Sequence, residues 1–142
     1  MGRIYVRPQD RDFTYIRESR PGGAVPAGAL GQHNIRGCQA TDFMAGNCRP
    51  GEEQEMFVGV RRLEAGMVNP LHRFDQPDLI CVLSGRMIMG GAESDEGVEL
   101  PAGSIVYLEA NEDFWFKAPE DGAVEFMVAF PRAARYHDSR AD

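Results

Sequence analysis

The chain has 142 residues, 43% of them hydrophobic and 26% charged, and a formal net charge of −7. That length suits one domain whose folding buries roughly two thirds of the chain's surface. The acidic balance argues against a nucleic acid or an anionic membrane as partner, and no run approaches the roughly 18 apolar residues of a spanning helix.

The opening residues, MGRIYVRPQDRD, carry no apolar core of a secretory signal, so the expected location is the cytoplasm. In that compartment Cys38, Cys48 and Cys81 are expected as free thiols; a Cys38–Cys48 bridge has no positive support. The 16 glycines and 9 prolines fall between short apolar runs, the punctuation of an all-β protein. Residues 1–54 hold one short predicted strand, Phe13–Arg17. Their Gly/Pro/Ala-rich stretch ESRPGGAVPAGALGQHNIRGC reads as an arm over the barrel or over a partner subunit. Strands are then predicted over Glu55–Leu63, Leu79–Leu83, Arg86–Met89, Val98–Leu100, Ser104–Leu108, Phe114–Lys117 and Val124–Phe130, with turns between them. That succession suits a sandwich or small barrel over residues 55–131. Residues 132–142 read as a frayed tail that leaves His137 uninvolved.

The segment from Gly66 to Gly85 has an informative spacing. Gly66 is followed after five residues by His72, after one by Phe74, after three by Asp78 and after six by Gly85. This resembles the first motif of the cupin superfamily, G-x5-H-x-H-x3-4-E-x6-G. The stretch ELPAGSIVYLEANEDFWF, with its Pro101-x-Gly103 turn, is similar to the second motif. The resemblance covers about Glu55 to Phe130, roughly half the chain. The resemblance implies a double-stranded β-helix, a jelly-roll barrel with an interior pocket, preceded here by the N-terminal arm; the expected assembly is a homodimer.

The resemblance also implies where a metal would sit, and there the chain departs from it. Cupin metal sites usually take two histidines and a glutamate from the first motif and a histidine from the second. Only His72 matches. Phe74 stands at the second histidine position, Asp78 at the glutamate position, and Phe114 at the third histidine position. A phenyl ring has no lone pair to give, and a catalytic metal generally needs about three protein ligands. No cofactor is therefore expected; a divalent metal, if held, would rest on His72 and Asp78, with His33 of the arm as an optional third ligand. Cys81 cannot help, because strand alternation points it away from Asp78.

What remains is a proton-transfer site. By alternation Phe116 shares a face with Phe114, and Trp115 points the other way. An apolar interior raises an aspartate's pKa and lowers a histidine's unless the two pair. Paired, His72 would act as general base or acid with Asp78 orienting it, and Phe74, Phe114 and Phe116 would stack on an apolar or aromatic small-molecule substrate. Arg61 and Arg62 are adjacent on one strand and must face opposite ways; Arg61 is the preferred inward one, facing a substrate anion. The plain alternatives are that the phenyl rings only fill a core, that Asp78 only caps its turn, and that both arginines reach solvent. The reading that follows is an isomerase, cyclase, dehydratase or lyase-type enzyme. The other functions in play are a metal-dependent enzyme such as a dioxygenase with an atypical ligand set, and a non-catalytic ligand-binding barrel.

Overall fold

The computed structural model describes residues 14–15, 38–42, 56–131 and 133–139. Eleven strands occur among them: β1 (Thr14–Tyr15), β2 (Cys38–Asp42), β3 (Met56–Leu63), β4 (Val68–Phe74), β5 (Asp78–Ser84), β6 (Arg86–Gly90), β7 (Val98–Pro101), β8 (Ile105–Leu108), β9 (Phe114–Lys117), β10 (Val124–Pro131) and β11 (Tyr136–Asp138). They form two antiparallel sheets, ordered β1-β2-β3-β10-β5-β8 and β11-β4-β9-β6-β7. No described helix is long and apolar enough to cross a membrane.

Alternation decides what lies between the sheets. Along β10 the residues Val124, Phe126, Val128 and Phe130 are buried and their neighbours are partly exposed, the period of a strand with one face on a core. The opposing sheet contributes Phe74, Met87, Met89, Phe114 and Phe116 to the same core. Two ring pairs close the gap between the layers. Phe74 stacks on Phe130 and Phe116 meets Phe126 edge-on, each with centroids 5.1 Å apart. Such pairs add roughly 0.5–1.5 kcal/mol beyond the area they bury.

The motif glycine that ends β5 has a geometric reason. Gly85 lies at φ 71°, and a Cβ there would meet the carbonyl oxygen of Ala123 at 2.3 Å. Only glycine takes that conformation without cost.

The sheets cross both boundaries expected from the sequence. β2 pairs with β3, and β1 with β2, so part of residues 1–54 belongs to the barrel wall. The tail expected to fray supplies β11, which pairs with β4 at Phe74, Arg73 and His72. An open edge on β4 would leave backbone groups unpaired; β11 covers it. Asp75 fastens the junction, accepting the Arg135 N–H at 2.6 Å and donating its own N–H to the Arg135 carbonyl at 3.1 Å. His137 sits opposite Arg73, on the face of β4 turned away from the core. The predicted strand list also lacked β2 and β4. Cys48 and His33 lie outside the described residues.

Candidate active site

Among the described residues, five polar ones are buried: Arg61, Asn69, His72, Asp78 and Ser139. The first four enter the barrel interior from three strands. On β3 the two arginines separate as alternation requires. Arg61 is 2% exposed and lies opposite the core residue Phe126. Arg62 turns outward to Glu125, its cross-strand partner, with Nε donating to Oε1 at 3.0 Å.

Asp78 opens β5, where it, Ile80 and Val82 are buried in alternation while Cys81 faces the other way. The Asp78 carboxyl is pushed up from 3.8 to about 7. Burial is the largest cause. A hydrogen bond from the Leu79 backbone N–H and the nearby positive charge of Arg61 pull in the opposite direction and do not offset it. Removing a carboxylate from water costs more here than one neighbouring guanidinium returns. Its Oδ1 has no hydrogen-bond partner among the described residues.

His72 comes from β4 and is 1% exposed. Its ring centroid lies 4.1 Å from that of Phe114, 5.9 Å from Phe74 and 6.1 Å from Phe116. Its Nδ1 sits 2.7 Å from the carbonyl oxygen of Pro70. A carbonyl can only accept, so Nδ1 carries the proton, and in the neutral ring the lone pair is on Nε2. The partner that fixes the tautomer is thus Pro70. Asp78, expected to orient the imidazole, enters from the opposite sheet, and Pro70 on the ring's own strand holds Nδ1.

A β-bulge makes that possible. Between β4 and β9 the register runs from Asn69↔Phe116 to His72↔Phe114, three residues against two. Pro70 has no N–H to give the ladder, and strand prolines gather at such irregularities. The extra residue has a second effect. Directly opposed residues share a face, so Asn69 points inward with Phe116, and His72 inward with Phe114. Simple alternation from His72 would have turned Asn69 outward. Asn69 is 2% exposed, whereas Val68 beside it is 47% exposed. Its Oδ1 also has no hydrogen-bond partner among the described residues. Sequence reasoning passed over Asn69; the proline two residues before the histidine-bearing turn of the ladder was the available signal.

The described residues do not fit a metal centre. No three histidine, cysteine, aspartate or glutamate side chains converge among them. Phe74 and Phe114, which stand where ligands would, are instead packed against His72. What the interior holds is one imidazole packed among phenyl rings, one carboxyl of near-neutral pKa near one guanidinium, and one amide.

No protein-family model and no curated protein matches the chain. Solved structures do. The polyketide cyclase RemF from Streptomyces resistomycificus is similar with a TM-score of 0.71 and 14% identity, over 94% of this chain and 84% of that one. A Cupin 2 conserved barrel domain protein from Salinispora arenicola is similar with a TM-score of 0.63 and 15% identity, over 93% and 92%. A sugar phosphate isomerase of the cupin superfamily from Silicibacter pomeroyi has a TM-score of 0.58 and 21% identity, over 72% and 66%. At such identities the likeness is one of fold.

Proposed function

Because the chain has the cupin fold, a double-stranded β-helix, we propose that it is a small-molecule enzyme that moves protons on an apolar or aromatic carbonyl compound inside the barrel. One observation carries this reading. His72 is locked by Pro70 in the tautomer whose lone pair is on Nε2, and it shares the interior with a carboxyl held near neutrality. An imidazole that can accept at Nε2 and a carboxyl held near neutrality are the tools of general acid–base catalysis.

The chemistry follows from what each group can do. His72 Nε2 takes a proton from the carbon beside the substrate carbonyl. The C–H electron pair moves into the C–C bond and the carbonyl π pair moves onto oxygen, giving an enolate. The Asp78 carboxyl in its protonated form donates to that oxygen, and the Arg61 charge opposes the negative charge as it develops. In an interior dried by phenyl rings both interactions are stronger than in water. The enol so formed has three outlets. It returns the proton at another carbon, attacks a second carbonyl of the same molecule, or expels a group from the β-carbon; the imidazolium delivers the proton that each needs, and the enol O–H gives its proton back to the Asp78 carboxylate as the carbonyl re-forms. These are isomerisation, cyclisation and elimination. The cyclase and isomerase named above are precedents within this fold for the first two, by analogy of architecture alone.

Exchange of hydrogen for deuterium tests the common first step. α-Tetralone, an apolar aromatic ketone, is incubated with the protein in deuterium oxide and followed by proton NMR. The wild type is expected to accelerate loss of the signal beside the carbonyl. His72→Ala is expected to lower that rate by about 10²–10⁴-fold, the scale of a positioned general base. Equal exchange by the two proteins would sink the reading.

A further inference from the structure

We propose that Asn69 is the specificity-determining acceptor of this interior, and that the compound it selects is a hydroxylated aromatic one, whose hydroxyl donates to Asn69 Oδ1. The inference rests on the proton-transfer reading only in taking the barrel interior for a small-molecule site.

Three observations lead to it. Asn69 is 2% exposed and its Oδ1 lacks a hydrogen-bond partner among the described residues. A buried amide oxygen left in that state is destabilising, and leucine at the same place would not be. The residue enters the interior only because β4 carries an extra residue after it, so the fold maintains an irregularity whose effect is to bring a polar atom inside. Its cross-strand partner is Phe116, whose ring stacks on Phe114 with an interplanar angle of 16° and centroids 6.3 Å apart. The amide oxygen therefore stands beside a flat apolar wall. An oxygen acceptor is satisfied by a donor, and the donor borne by a flat, otherwise apolar compound that such a wall would take is a phenolic or ring hydroxyl.

The arrangement divides the labour in the barrel. Arg61 and Asp78, on β3 and β5, supply charge and a proton. Asn69, on β4 of the opposing sheet, supplies the acceptor that fixes how the ring lies. A compound without the hydroxyl leaves the amide oxygen buried and unsatisfied, which is the situation in which polar sites discriminate most strongly.

The test is equilibrium binding by calorimetry of three probes: naphthalene, β-naphthol and the methyl ether of β-naphthol. The wild type is expected to bind β-naphthol about ten- to a hundredfold more tightly than naphthalene. The methyl ether, which has an oxygen but no donor, is expected to bind no better than naphthalene. Asn69→Leu should erase the preference for β-naphthol, bind naphthalene at least as well as the wild type does, and melt no lower. Equal affinity for β-naphthol and its ether, a preference that survives Asn69→Leu, or failure of all three probes to bind the wild type would each overturn the inference. If Asn69→Leu does not fold, the wild-type comparison of β-naphthol with its ether decides alone. Deuterium exchange into α-tetralone is read without any of these probes, so either idea can fall while the other stands.

Discussion

The Asp78 carboxyl makes a prediction about stability that needs no substrate. In the unfolded chain it titrates near 3.8; in the folded protein it titrates near 7. Between those values the folded state holds a proton that the unfolded state has released. Stability therefore falls as pH rises through the window; the contribution is fully present below about pH 4 and gone above about pH 7. Each pH unit crossed costs roughly 1.4 kcal/mol, so the whole window is worth on the order of 4 kcal/mol, a large share of a small domain's stability. Asp78→Asn keeps the shape of the side chain and removes the titration. Other groups titrate in the same range, so the quantity to read is the difference between wild type and variant. Urea unfolding of both proteins at closely spaced pH values from 4 to 8.5 should show the wild type losing on the order of 4 kcal/mol relative to Asp78→Asn. Parallel curves would refute the reasoning. They would mean that the guanidinium of Arg61 and the Leu79 N–H compensate the carboxylate fully, and that the acid proposed for the site does not exist.

Three further outcomes follow from the same geometry. Arg61→Leu removes a charge that lowers the Asp78 pKa, so the pH at which that urea difference levels off should move above 7; a levelling-off that moved down would contradict the placement of Arg61. Phe74→His replaces a phenyl ring that touches His72 with a possible ligand, and isothermal titration with zinc or nickel should show tighter binding than in the wild type, without faster exchange into α-tetralone. Gly85→Ala should cost on the order of 2–4 kcal/mol of stability by chemical denaturation, because its Cβ would collide with the Ala123 carbonyl, which is backbone and cannot swing aside.

How much of this was legible without coordinates varies from strand to strand, for physical reasons. β10 was plain, since Val124, Phe126, Val128 and Phe130 obey a period of two with an apolar inner face. Alternation forced Arg61 and Arg62 to opposite faces, with Arg61 preferred as the inward one, and the count from Gly103 brings Phe114 to the position whose ring packs against His72. β4 was invisible as a strand for the reason that makes it interesting. Its inner face carries Asn69 and His72, its middle carries Pro70, and a bulge breaks the period, so hydrophobic patterning has nothing to detect. The carbonyl that holds His72 Nδ1 was not foreseen, because partners for a ring are sought among side chains and this one is a backbone group at the bulge. The short strand β11 has too few residues for any periodicity and exists through its partner: Asp75 and β4 hold it in place.

That last strand bears on how the protein should be handled. Asp138 lies directly across from His72, and Ser139 next to it hydrogen-bonds to Asp113, which also receives Arg73 of β4. An affinity tag fused directly after Asp142 would thus be tethered a few residues from β11, which pairs with the strand that carries the imidazole. A screen for turnover run on such a fusion would be assaying the tag's pull on β11 together with the enzyme, so a negative result from it should be repeated after the tag has been cleaved.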